Sequence, residues 1–125
     1  MKNLAFFFLL FLGLAACNDD DMNGVICTED FRIVSVTIEA DTLPTSVYYI
    51  EGATTANVAM DKLDGSDNVY VLMTDANQDV HEGVTKSYLV EGVDADGNQL
   101  FSETYEVSAD QCHIFKVSGP DVVSY

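Results

Sequence analysis

The chain has no tryptophan, two prolines, two histidines and only five lysines and arginines together. Each shortage excludes something. Binding to nucleic acid depends on basic side chains that neutralise phosphates, so nucleic acid is not a partner class this composition supports. Adhesion to anionic lipid through charge is disfavoured for the same reason. The two histidines, His81 and His113, form no ligand pair with the spacing of a zinc finger. The absent tryptophan is the residue that ordinarily packs beside the core cystine of an immunoglobulin-type domain, and its absence also weakens a sugar-stacking surface. No G-x-S-x-G elbow or similar motif places a nucleophile near a histidine. After the N-terminal segment, no window of about 11 residues or longer shows helical periodicity.

What the chain does have begins at its N-terminus. Lys2 supplies a short positive region, Leu4 to Leu14 is almost unbroken apolar sequence, and Gly13, Ala15 and Ala16 are small. These are the three parts of a secretory signal. The run from Leu4 to Ala16 falls well short of the roughly 20 residues that span a bilayer as a helix. The first cysteine follows directly, and Leu14-Ala15-Ala16-Cys17 resembles the lipobox of bacterial lipoproteins. That resemblance implies removal of residues 1–16 and a palmitate-type lipid on Cys17, as a diacylglyceryl thioether plus an acylated amino group. Each buried CH₂ adds about 0.8 kcal/mol; one chain holds weakly and two or more hold stably. The membrane is then a partner through Cys17 with no spanning segment.

Residues 17–26 read as a lipidated tether. Asp19-Asp20-Asp21 cannot bury and stays in water. The run also resembles the acidic export tag of Bacteroidetes surface lipoproteins, which implies an outer-membrane location facing the cell exterior; a spacer on the periplasmic face is the alternative.

Acidic residues number 21, and the net charge is −16. This balance favours solubility and attracts cations or basic partners. With Cys17 taken by lipid, Cys27 and Cys112 remain as an even pair in an oxidising compartment, and a disulfide between them is expected. Two buried free thiols are the alternative. A bridge closing about 85 residues would contribute on the order of 4–5 kcal/mol in the chain-entropy picture.

Residues 27–125 read as one all-β domain. Phe31 to Glu39 is rich in β-branched residues, with Val34, Val36 and Ile38 on one alternating face. Val47 to Glu51 is a second strand and Ala56 to Met60 a weaker third. Val69 to Thr74 is a strand with Val69, Val71 and Met73 on one side. Asp75 to Gly83 reads as a polar loop with room for a short helix. Val84 to Val93 and Leu100 to Val107 flank Asp96-Gly97, a strong hairpin signal. Gln111 to Ser118 is the last strand, closed by Gly119-Pro120. Six or seven short strands at intervals of about 10–15 residues indicate an antiparallel β-sandwich, Ig-like or transthyretin-like. With its cysteines at the two ends, the bridge is expected to be a terminal staple and not a pin through the core.

The run Cys27-Thr28-Glu29-Asp30-Phe31-Arg32, together with Asp110-Gln111-Cys112-His113-Ile114 and Val117-Ser118-Gly119-Pro120, resembles small Bacteroidetes lipoproteins. Those are associated with a carboxypeptidase-regulatory-like, transthyretin-like sandwich. Asp41-Thr42-Leu43-Pro44 stands where that family has an Asp-x-x-Gly-x-Pro turn. The resemblance implies no catalytic activity.

Candidate chemistry is sparse. Asp94, Asp96 and Asn98 alternate as in a calcium loop, but Gln99 and Tyr105 stand where an EF-hand needs Gly and Glu, so a plain hairpin turn is expected and weakly held calcium is the alternative. Asp61, Asp64 and Asp67 form a second weak calcium candidate. His113, beside Cys112, is expected to be a structural hydrogen-bonded residue near the bridge. His81 sits between Asp79 and Glu82 without a catalytic partner. Tyr48, Tyr49, Tyr70, Tyr88 and Tyr105 are expected in the core or half-buried; a stacking platform for glycan or peptide is the alternative. The expectation is a non-catalytic, lipid-anchored envelope β-sandwich that serves as a surface accessory or protein-interaction module with an envelope protein partner, and no cofactor. A glycan- or peptide-binding surface lipoprotein is the second reading.

Overall fold

The computed structural model describes residues 26–52 and 54–125. The signal at 1–16, Cys17 and the acidic run lie outside the described residues. The domain is all-β, with eight strands in two sheets. They are β1 (Ile33–Glu39), β2 (Ser46–Glu51), β3 (Val58–Ala59), β4 (Val69–Thr74), β5 (Lys86–Val93), β6 (Gln99–Ala109), β7 (Ile114–Ser118) and β8 (Val122–Ser124). One sheet has the order β4-β1-β8 and the other β3-β2-β5-β6-β7. The only helix among the described residues is a single 3₁₀ turn, Asp75–Asn77.

Period-two alternation builds the sandwich. In β1 the side chains of Val34, Val36 and Ile38 are buried while their neighbours are not, as the alternating apolar positions require. Tyr88 and Val90 of β5 and Phe101, Tyr105 and Val107 of β6 fill the facing sheet. β5 and β6 pair antiparallel with Tyr88 opposite Tyr105 and Gly92 opposite Phe101. A side chain at Gly92 would enter the Phe101 ring, so this close approach needs glycine. The hairpin between them turns at Asp96-Gly97, where Gly97 has φ 84°, a left-handed conformation that suits glycine.

Three features depart from the expected pattern of six or seven antiparallel strands. In β4 the buried residues are Tyr70, Leu72 and Met73, while Val69 and Val71 are half-buried. The expected face of Val69, Val71 and Met73 is therefore wrong for its first two members. The cause is a β-bulge: Val34 pairs with Met73 but Ser35 pairs with Val71. The extra residue, Leu72, shifts the alternation, so that Leu72 and Met73 both face inward. The second departure is β8. Gly119-Pro120 does not end the fold but carries the chain to the other sheet, where β8 pairs parallel with β1 at Thr37 to Glu39. Gly119 has φ 115°, and a Cβ there would lie 2.5 Å from the Tyr105 ring. The crossing therefore runs tight against the core. The third departure is the weak third strand, which shortens to Val58–Ala59; the chain after it pairs with the edge of β4, with Leu63 N–H donating to Val69 and Val71 N–H to Asp61.

Two tyrosine hydroxyls in this core have opposite situations. Tyr88 is 1% exposed, and its hydroxyl lies 2.6 Å from His81 Nε2. His81 is also buried, and its Nδ1 lies 2.7 Å from the Asn77 carbonyl. A carbonyl only accepts, so Nδ1–H donates to it and Nε2 accepts from Tyr88. Burial, then the nearby charge of Glu51 and the Tyr49 hydroxyl, push the Tyr88 phenol well above its usual range. Tyr105 is completely buried, and its hydroxyl has no partner among the described residues. Losing one partner of a buried hydrogen bond leaves the other unsatisfied, whereas deleting an unpaired group removes a penalty. In urea unfolding, Tyr88→Phe is therefore expected to cost about 1–2 kcal/mol, and Tyr105→Phe to be neutral or stabilising by up to about 1 kcal/mol. Equal losses would contradict this assignment.

Candidate functional site

The strands run between two poles. At one, the chain enters through residues 26–32 and meets the loop 75–84 and the β6–β7 turn. At the other lie the loops around Asp41, Asp67 and Asp96 and the last residue, Tyr125.

Covalent and polar contacts concentrate at the first pole. Cys27 and Cys112 form the disulfide, with Cα atoms 5.2 Å apart. It joins the segment before β1 to the turn before β7, at the edge of the domain, as a terminal staple. Next to it, Asp75 collects hydrogen bonds from three directions. Its Oδ2 accepts from Arg32 N–H at 2.7 Å and from His113 Nδ1 at 2.8 Å, and its Oδ1 accepts from Ile114 N–H at 2.9 Å. His113 Nε2 in turn lies 2.9 Å from the Thr28 hydroxyl. With Nδ1–H committed to Asp75, Nε2 accepts from Thr28. Asp110 completes the turn by accepting Cys112 N–H and His113 N–H, both at 2.8 Å. The expected structural role of His113 beside the bridge is what the geometry gives.

Thr28, His113 and Asp75 follow the donor order of a nucleophile, a base and an orienting acid. Of three surface clefts, two lie away from these residues; the third is bordered by Arg32 and Ile114, whose N–H groups donate to Asp75, but Thr28, His113 and Asp75 do not line it, and Thr28 itself is exposed. What this chain of bonds does mechanically is plain: it fastens the entering segment to the start of β7.

The electrostatics follow from those contacts. Burial pushes the Asp75 carboxyl up. The hydrogen bonds from Arg32, Ile114 and His113 outweigh it and hold the group below its ordinary value of 3.8. The two N–H bonds from Cys112 and His113 lower Asp110 in the same way.

The other sequence candidates are dispersed. Asp94 uses its carboxylate inside its own hairpin, where Oδ1 accepts Asp96 N–H at 2.9 Å and Asn98 N–H at 2.8 Å, and Oδ2 accepts the Asn98 side-chain amide at 2.8 Å. Three donors aimed at one carboxylate make a closed turn, the expected reading of Asp94, Asp96 and Asn98. Among the described residues, no group of three or more His, Cys, Asp or Glu side chains is arranged to hold a metal ion, Asp61, Asp64 and Asp67 included. Tyr70, Tyr88 and Tyr105 are buried and Tyr49 packs half-buried against the core. Tyr48 faces outward with its hydroxyl donating to Glu91 at 2.8 Å. The five tyrosines thus share no surface. Sequence reasoning placed His81 in a polar loop and missed its burial, and it missed Asp75 entirely. The one available signal for Asp75 was its place directly after a strand, at the first position of a loop.

A cleft of about 700 Å³ lies at the second pole, lined by Ile38, Glu39, Ala40, Asp41, Leu43, Asn68 and Tyr125. The Tyr125 ring stacks on Phe101 at 5.7 Å, and its hydroxyl donates to the Thr42 carbonyl at 3.0 Å. Among the described residues, no helix is long and apolar enough to cross a membrane.

No family model, curated protein or solved structure matches the chain.

Lowered carboxyl pKa values in the folded state make stability depend on acid. Asp75, Asp94 and Asp110 all bind protons less readily folded than unfolded, so the unfolded state takes up more protons as pH falls. Their contribution is fully present above the ordinary carboxyl value of 3.8 and fades as pH drops through the lower folded values. Urea midpoints are expected to be level from neutral pH down to about pH 5 and to fall steeply below pH 4. Asp75→Asn should lower the midpoint at pH 7 and flatten the acid fall. A variant that titrates like wild type would show that Asp75 does not carry this linkage.

Proposed function

We propose that the chain is a lipid-anchored, non-catalytic lipoprotein of the cell envelope, held in the outer membrane through Cys17 and facing the cell exterior. The β-sandwich serves there as an accessory or protein-interaction module. The observation that carries this reading is the order of features along the chain. An apolar signal ends in Leu14-Ala15-Ala16-Cys17, an acidic run follows, and the next cysteine, Cys27, is bridged to Cys112. A structural disulfide forms and persists in oxidising compartments, which agrees with export. The bridge also accounts for the cysteine count, since it uses two of the three and leaves Cys17 for lipid. The resemblance to small Bacteroidetes lipoproteins at both ends of the domain supports the same location.

The Asp75–His113–Thr28 bonds and the disulfide both fasten the segment that would join the domain to the lipid tether. A glycan- or peptide-binding reading would draw on Tyr48 alone of the five tyrosines, because the other four belong to the core or pack against it.

Cys17→Ser tests the anchor. In the native host fed an alkyne palmitate analogue, wild type is expected to carry label and to partition into the detergent phase. The variant should lose both and appear in the soluble fraction. Equal label on the two proteins would overturn the assignment. Protease treatment of intact cells reads the orientation, with digestion of the domain expected for surface display.

A further inference from the structure

Ten large apolar side chains are exposed among the described residues; Ile33, Val58, Phe115, Val117, Val122 and Tyr125 are 41–49% exposed and spread along the strands and the far pole, and the four most exposed fall together. Ile26 is 94% exposed, Phe31 64%, Val80 51% and Val84 52%. All four lie at the pole where the chain enters. Residues 26–32 are held there by the Cys27–Cys112 bridge, by Thr28 on His113 and by Arg32 N–H on Asp75. The loop carrying Val80 and Val84 is held to the same turn. Gln78 Nε2 donates to the Asp110 carbonyl at 2.6 Å, Gly83 N–H to Ala109 at 3.1 Å, and the Ser108 hydroxyl to Val84 at 3.1 Å. These apolar groups therefore sit on a braced surface, on two segments pinned to one turn. The opposite pole presents Tyr125, which is stacked on Phe101, among the carboxylates of Asp41, Asp94 and Asp96.

We propose that the entry pole is a membrane-seating surface. Resting on the acylation of Cys17 proposed above, Ile26, Phe31, Val80 and Val84 enter the headgroup region of the leaflet that holds the lipid. The domain then stands on the bilayer and does not swing free on its tether. The tether's length and its point of entry argue for this occupant. Ten chain steps separate Cys17 from Cys27, about 33–36 Å at full extension and about 16–19 Å as a flexible coil. The pole at the end of that tether is therefore always near the bilayer, and a weak apolar contact is reinforced by the covalent anchor. Glu29, Asp30, Asp79 and Glu82 are exposed around the apolar groups. They exclude attraction to anionic lipid, so the surface suits a zwitterionic one, where apolar burial alone drives the contact. Exposed apolar groups clustered on a soluble domain ordinarily mark an interaction surface, and here the bilayer is the surface closest to them.

The absence of tryptophan makes the test direct, because one introduced tryptophan is the sole indole reporter. Full-length acylated protein is prepared as Phe31→Trp, Val80→Trp and Tyr125→Trp, with mass spectrometry establishing the lipid on Cys17. Each is reconstituted in phosphatidylcholine vesicles with and without brominated acyl chains. Interfacial apolar groups reach about 5–10 Å into the headgroup and acyl boundary, so emission from the Phe31→Trp and Val80→Trp proteins should shift to shorter wavelength and fall by roughly half with brominated lipid. Emission from the Tyr125→Trp protein should not change. Phe31, Val80 and Tyr125 are all exposed, and Tyr125→Trp keeps an aromatic ring against Phe101. Acylated protein in which all three reporters behave alike and escape quenching would overturn the seating while leaving the anchor in place. Protein without a lipid mass on Cys17 would overturn the anchor, and the seating with it.

Discussion

The carboxylate of Asp75 is the group on which the arrangement of this domain depends. It follows the last residue of β4 and accepts hydrogen bonds from the backbone just before β1 and from the first residue of β7. β4 and β1 belong to the three-stranded sheet and β7 to the five-stranded one. A single side chain thus fixes where the two sheets meet at one corner. The third contact, from His113, orients the imidazole toward Thr28 and extends the same bonds to the entering chain. Removing the carboxylate would leave two backbone N–H groups and an imidazole without their acceptor at a partly buried site, and such loss costs more than the bonds themselves gain. The neighbouring disulfide acts in parallel: it limits the unfolded chain, while Asp75 sets the geometry of the folded one.

The core shows how a chain without tryptophan fills a sandwich. Tyr70, Tyr88 and Tyr105 take the large positions, and each brings a hydroxyl that must be placed. Tyr88 solves this with His81, a partner drawn from a loop into the interior; the same loop then bonds Ala109 through the His81 and Gly83 backbone. Burial of one polar handle thereby also closes the end of the sandwich. Tyr105 has no such partner among the described residues and is held by shape, with Gly119 passing close against its ring. The two cases differ in kind: one specifies a loop conformation through a hydrogen bond, the other specifies a crossing through the absence of a Cβ.

Much of the fold was legible because it is written in short-range patterns. The alternation of Val34, Val36 and Ile38 marks a strand with one buried face, and Asp96-Gly97 marks a hairpin. The even pair Cys27 and Cys112, lying at the ends, marks a staple. What was not legible depends on distant or irregular events. The inward face of β4 reverses at a bulge, and a bulge leaves no trace in a six-residue apolar run such as Val69–Thr74. β8 is a three-residue strand after a Gly-Pro pair that reads as an end. His81 stands among Gln78, Asp79 and Glu82, so local polarity conceals its burial. Asp75 meets Ile114 across 39 positions, and nothing in the sequence around either residue announces the other.

The position of the staple decides where a load on the preceding chain would enter the domain. Any pull on the chain upstream of Cys27 acts at once on Cys112, because the two are covalently joined. Without the bridge, the same pull would travel along residues 28–32 into β1, which is the central strand of its sheet, and would strain the Arg32 contact first. With the bridge, load passes to the turn that Asp110 closes through Cys112 and His113. That turn lies between β6 and β7, and Asp75 ties it to the other sheet. Load entering at Cys27 is therefore spread over both sheets before any ladder is stressed along its edge.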